Sequence, residues 1–258
     1  WDAFRLEAAG LALSNILPLR LGEIMRGTFG SGIFGIPMVT VFATILVERA
    51  LDVIVLFAVF GAAVLLGGLT GGFAAYDGLM WALLAGLAAA IAALAFSEEI
   101  IAHAWFAGFF ARFPRLRGLF EKTAAGVKGF RSPRSCALIL AMAAAQWLLD
   151  ALNCWWMACA FGLDGVIGAA RSVALIFTGA LAASVPGMPG YFGNYEFTLT
   201  KVLTSWGIPR DVAFAYSSYQ HVVGYIFMTV LGVGFIYSMG HSVGRLWGDL
   251  AGRRGEGK

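Results

Sequence analysis

Three groups of polar residues sit in strongly apolar surroundings, and their types and spacing suit ion chemistry. The first is Asn15, Pro18, Arg20, Gly22, Glu23 and Arg26. Arg20, Glu23 and Arg26 follow one another at three-residue steps, so on a helix they lie near one face. Pro18 suits a first helical turn and stops any helix arriving from before it. A helix starting there would aim free N–H groups and partial positive charge at whatever faces it. With two arginines added, this suits a phosphate or a carboxylate; the plainer alternative is a juxtamembrane ion-pair ladder. The second group is Glu48, Arg49 and Asp52, set between the apolar runs 39–47 and 53–66. Glu48 and Asp52 are one turn apart, and Arg49 can pair with Asp52. These charges either line a polar cavity or pair structurally near a membrane surface, where snorkelling lowers their cost. The third is a break holding Pro186, Gly187, Pro189, Gly190 and Gly193, followed by Asn194 and Glu196. Asn194 can cap the next helix, and Glu196 falls in its first turn, where a carboxylate suits the dipole. Unwound backbone between two short apolar helices also points to a transporter site.

Weaker features read first as packing. Gln146, Asp150 and Asn153 share one helical face and suit interhelical hydrogen bonds, with cavity lining as the alternative. Tyr219, Gln220, His221 and Tyr225 lie together, and a lone histidine there reads as a satisfied bundle residue before a proton relay. Ser217 and Ser218 read as small packing residues. Cys136, Cys154 and Cys159 form no CxxC pair and have no histidine at metal spacing, so they read as small apolar side chains. No GxSxG, HExxH, P-loop or GxGxxG pattern with an acidic partner occurs. No catalytic set, metal site or cofactor is therefore expected, and ATP-driven transport would need another chain.

The elements that position these groups follow from composition. Apolar residues make up 60% of the chain and charged residues 13%, with a mean hydropathy of +0.80. Soluble domains carry about 25% charged residues, and a soluble core of this size could not bury so much apolar surface. Lipid is the solvent that fits. The runs 45–66 and 79–96 are unbroken, without the period-two alternation of barrel strands, so the expected fold is all-α: a polytopic integral membrane helical bundle with broken or re-entrant helices.

Seven apolar segments are predicted, at 4–29 (broken at Pro18), 39–66, 76–96, 136–161, 172–185, 194–206 and 212–239. The segments 172–185 and 194–206 are too short to span upright, which favours a re-entrant hairpin over two crossings. Between 101 and 134 basic residues interleave with Trp105, Phe106, Phe109, Phe110, Phe113 and Phe120, the pattern of an interfacial helix on anionic lipid and not of a nucleic-acid surface. This stretch and the basic tail 247–258 should face the cytoplasm, because the turn 67–72 has no basic residue. The first residue is Trp1, not methionine, and no signal-peptide pattern follows, so further helices are expected to precede it.

The three groups, in this order, resemble the transmembrane domain of lysylphosphatidylglycerol synthases, the flippase-like domain of the multiple peptide resistance factor, in its stand-alone form. The resemblance covers residues 11–246. It implies translocation of a membrane lipid across the inner membrane, with a polar cavity that accepts the headgroup. The site residues expected on this basis are Asn15, Arg20, Glu23, Arg26, Glu48, Arg49, Asp52, Asn194 and Glu196. Arg20 and Arg26 would hold the phosphate, since guanidinium favours bidentate contact. The carboxylates would neutralise the arginines or meet a cationic headgroup. Motion of the broken element at 172–206 would switch access. Family members carry additional helices before the Asn15 motif. Two other readings stay open: an intramembrane enzyme using Glu48 and Asp52 as acid and base, and a non-catalytic partner of a lipid- or glycolipid-modifying enzyme. A homo-oligomer or a lipid-modifying enzyme are the partners considered.

Overall fold

The computed structural model describes residues 1–17, 21–67, 132–185 and 189–240, with the single positions 85, 89 and 112. Among the described residues there are seven α-helices and no strand. They are α1 (Asp2–Ile16), α2 (Leu21–Phe34), α3 (Met38–Gly67), α4 (Pro133–Ala160), α5 (Ala169–Ser184), α6 (Asn194–Ser205) and α7 (Arg210–Ser238). A single 3-10 turn, Pro189–Tyr191, precedes α6.

Prolines set several of these ends. Leu17 and Val185 each precede a proline, and each leaves the helix for extended backbone, at φ −91°, ψ 141° and φ −73°, ψ 123°. The ring of the following proline excludes the helical conformation from the residue before it. Segment 4–29 is accordingly two helices, α1 and α2. At the start of α4, Ser132 accepts a hydrogen bond from the Ser135 N–H, with Pro133 at the first helical position.

Helices α3, α4 and α7 are long and apolar enough to cross a membrane. At a rise of 1.5 Å per residue each exceeds the ~30 Å hydrocarbon core. Helix α5 has 16 residues and α6 has 12, about 24 and 18 Å. Both are short of that thickness, as the sequence predicts. The outer faces of the long helices are greasy: Leu138, Met142, Leu149 and Trp156 on α4, and Phe227 and Val230 on α7, are all exposed. A soluble protein would hide such rows.

A small buried cluster joins Val47 and Leu51 of α3 to Ile139 and Leu140 of α4, and two larger cores lie inside. The larger is built around α5, whose buried run Val173 to Phe177 packs against Leu56 and Phe60 of α3, Ala151, Cys154 and Ala158 of α4, Leu199 and Leu203 of α6 and Tyr216 of α7. The Phe60 and Phe177 rings stack at 4.0 Å. The smaller core joins α1, α2 and α7 through Ala9, Leu13, Leu17, Met25 and Ile236. Here backbones nearly touch. A Cβ on Gly232 of α7 would overlap the Ala8 carbonyl oxygen and Ala12 of α1, and one on Gly22 of α2 would overlap Gly10 and Ser14 of α1. Small residues at such seams let apolar helices associate in lipid, where the hydrophobic effect gives no help.

The predicted segment 76–96, nearly all of the basic stretch 101–134 and the tail 247–258 lie outside the described residues, and so does the orientation they would set.

Candidate functional site

The charges of the first two groups meet at the junction of α1, α2 and α3. Arg26 of α2 crosses Gly10 of α1, where its stem lies 3.2 Å from the place a Cβ would occupy. Its guanidinium reaches both oxygens of Glu48 on α3, one at 3.1 Å, and Glu7 of α1 at 2.6 Å. Arg49 contacts Glu48 at 2.7 Å, Asp52 at 3.1 Å, Glu7 at 3.6 Å and Glu23 at 3.8 Å. Two guanidiniums are thus enclosed by four carboxylates. Such an arrangement offsets the cost of charge in a low-dielectric setting only because every ion has a partner.

Arg26 is paired with Glu7 and Glu48, the neutralisation by carboxylates that the sequence reading allows for. Arg20 lies outside the described residues. Glu7 was not among the expected site residues, although a carboxylate next to the apolar run 8–13 of α1 was a legible signal.

The third group sits elsewhere. The backbone between α5 and α6 turns through Tyr191 at φ 63°, Gly190 at φ 69° and Gly193 at φ 87°. A left-handed conformation at a tyrosine is uncommon and stores strain. Gly193, not Asn194, occupies the cap position of α6. Asn194 is the first helical residue, and its side-chain amide reaches back 3.5 Å to the Val185 carbonyl. The cap is completed by Glu196, whose Oε2 accepts the Gly193 N–H at 2.7 Å. The other oxygen, Oε1, lies 2.6 Å from Nδ1 of His221 on α7. The imidazole is held between the rings of Phe192 and Tyr195, each 4.7 Å away. Glu196 and Asn194 make no ion pair or hydrogen bond with the arginine cluster among the described residues.

A cavity of about 410 Å³ opens between α1, α4, α5 and α7. Its polar lining is Asn15, Trp147, Asp150, Asn153, Tyr191, Tyr195, Gln220, His221 and Tyr225. Asn15 is the one expected site residue on its wall, anchored by a 3.1 Å bond from Nδ2 to the Thr229 hydroxyl. Gln220 donates to Cys154 Sγ at 2.7 Å, while its Oε1 and the Trp147 Nε1 are buried without a hydrogen-bond partner. Among the described residues Asp150 makes no hydrogen bond or ion pair, and no lysine or arginine lines the space. Asp150, Asn153, Gln220 and His221, read first as packing residues, therefore face a cavity. The volume falls in the range of small-molecule sites, roughly 300–1,000 Å³. A second, larger groove of about 1120 Å³ runs between α6 and α7, lined by Phe192, Glu196, Phe197, Thr200, Lys201, Arg210, Asp211 and Phe214 among others. Among the described residues no cluster of histidine, cysteine and carboxylate side chains could hold a metal ion.

An all-helical membrane bundle with an open cavity whose wall carries several polar side chains defines the class of protein. The chain belongs to the family described as the lysylphosphatidylglycerol synthase TM region, whose sequence profile matches residues 1–232. Membership relates it to the modification or flipping of membrane lipids. No curated protein matches the chain, and no solved structure does.

Proposed function

We propose that this protein is a lipid translocase, in which the headgroup enters the cavity between α1, α4, α5 and α7 while the acyl chains stay in hydrocarbon. The observation that carries this reading is Asp150, a carboxylate on a membrane-crossing helix with no partner among the described residues, facing a cavity with no lysine or arginine among its described lining. Ionisable groups at such positions are rare and mark substrate pathways. Family membership supports a lipid as the substrate. An unpaired carboxylate selects a positively charged group, so the favoured substrate is a phospholipid bearing an amine, an aminoacylated phosphatidylglycerol among them. The four carboxylates gathered on Arg26 and Arg49 from three helices argue that the cluster of α1, α2 and α3 holds helices together and leaves headgroup contact to the cavity.

In this reading α5 and α6 form a re-entrant pair whose strained junction lets them shift against α3 and α4. The protein resides in the bacterial inner membrane, with the basic stretch 101–134 and the C-terminus on the cytoplasmic side.

The test is a dithionite-quench assay in vesicles containing the purified protein and acyl-chain-labelled lipids. Labelled phosphatidylethanolamine or lysylphosphatidylglycerol should equilibrate between leaflets faster than in protein-free vesicles. Asp150→Asn should slow this movement. Wild-type protein that moves none of these lipids would remove the proposal.

A further inference from the structure

The Glu196–His221 pair has a position that headgroup binding alone does not explain. Glu196 lines the groove between α6 and α7, and His221 lines the central cavity. Both side chains are only 9% exposed, so the pair is part of the partition between the two spaces. Glu196 has both oxygens engaged, by Gly193 N–H and by His221 Nδ1. Tilted contacts with the Phe192 and Tyr195 rings, each at 4.7 Å, restrict the imidazole. The remaining nitrogen, Nε2, makes no hydrogen bond among the described residues.

The surrounding groups define the charge this pair meets. From α4 come Asp150 and Cys154, from α6 Tyr195, from the turn Tyr191, and from α7 Tyr225. The cavity wall of α5 consists of Ile176, Gly179, Ala180 and Ala183, none of which titrates, and α1 offers Leu11 and Asn15. Lys201, Arg210 and Asp211 lie on the groove side. With neutral imidazole, two formal negative charges, Asp150 and Glu196, bear on the cavity and no described cation on its wall offsets them. Histidine is the side chain whose ordinary titration spans physiological pH.

Resting on the lipid-translocation reading above, we propose that the Glu196–His221 pair is a proton-binding site that exchanges a proton for the cationic group of the lipid. The Nε2 lone pair takes a proton from water, one N–H bond forms, and the imidazole becomes imidazolium paired with the Glu196 carboxylate. The pair passes from one negative charge to none. Loss of that proton to water reverses the step as an amine enters beside Asp150. Nothing is oxidised or reduced. The same Glu196 carboxylate holds the Gly193 N–H, so the change in charge is felt directly at the strained junction of α5 and α6.

The test uses wild-type protein in vesicles of phosphatidylcholine and phosphatidylglycerol. These carry acyl-labelled phosphatidylethanolamine or lysylphosphatidylglycerol, with the membrane potential clamped by potassium and valinomycin. One-for-one exchange makes the labelled lipid accumulate in the leaflet facing the acidic side, by about tenfold for each pH unit imposed. In His221→Gln, whatever its residual rate, the final distribution should ignore the gradient. A pH dye trapped in weakly buffered wild-type vesicles should report proton movement when labelled amine lipid is supplied on one side, and none for acyl-labelled phosphatidylglycerol. Lipid movement by the wild type with a distribution indifferent to the gradient, or equal proton movement with phosphatidylglycerol, would overturn the coupling and leave the translocase intact. Absence of all lipid movement would overturn both.

Discussion

The junction of α1, α2 and α3 and the cavity beside α4 and α7 both place ionisable groups inside an apolar bundle, but they treat them in opposite ways. At the junction, Arg26 and Arg49 are ringed by Glu7, Glu23, Glu48 and Asp52, and each guanidinium binds carboxylates from more than one helix. In the cavity, Asp150 has no partner among the described residues, Trp147 and Gln220 each keep a buried polar atom unmatched, and His221 offers its second nitrogen. The dense cluster is rich in counter-ions, although its Arg49 Nε is also buried without a hydrogen bond, and the sparse one has none among the described residues. Charge density marks where helices are clamped, whereas incomplete pairing marks where a ligand can be received.

The sharpest way to break this contrast is to remove the clamp. Arg26→Ala leaves Arg49 as the one described cation shared by Glu7, Glu23, Glu48 and Asp52, and the loss of the Arg26 pairs costs about 3 kcal/mol. The expected outcome is early thermal unfolding and loss of a monodisperse peak in detergent; normal stability would show the cluster to be a solvated surface feature. Next comes the seam between α1 and α7. Gly232→Leu should force the helices apart at a cost of about 1–3 kcal/mol, read by thermal unfolding, because the added side chain has only Ala8 and Ala12 to displace.

Within the open region the effect should move from stability to activity. Asp150→Asn should reduce translocation of an amine-bearing lipid by roughly tenfold, the worth of a hydrogen bond to a charged group, while the melting temperature stays level or rises. A variant that melts early at unchanged transport would assign Asp150 to the scaffold instead. The smallest effect is expected at Asn194→Ala. A cap residue would cost about 1 kcal/mol on truncation, but Asn194 lies one residue past the cap with a long 3.5 Å contact, so a loss within a few tenths is expected by thermal unfolding.

Much of the fold was legible in the sequence, because it depends on local rules. Apolar length marked α3, α4 and α7, and the prolines after Leu17 and Val185 marked where α1 and α5 stop. The described helix ends fall within three residues of the predicted segments except at α2, which runs to Phe34, five residues past the predicted end at 29. The site was legible only in part. Spacing along one helix shows that Glu48, Arg49 and Asp52 share a face, but not that α1 brings Glu7 to complete their pairing. The same limit hid the cavity. Asp150 and His221 are far apart in the chain, and each looks like ordinary bundle packing until α4 and α7 are placed against α1. Asn194 was misassigned for a different reason: glycine at position 193 reaches the left-handed conformation, so the helix begins there and the Glu196 carboxylate does the capping that asparagine could have done.

The close seam between α1 and α7 has a bearing on the route a substrate takes. Where Gly232 rests on the Ala8 carbonyl there is no gap for a hydrocarbon tail at that level. Under the proposed translocation, the tails of a lipid whose polar end lodges near Asp150 would trail outward past α4, whose Leu148, Leu149 and Trp156 present a greasy margin to the bilayer.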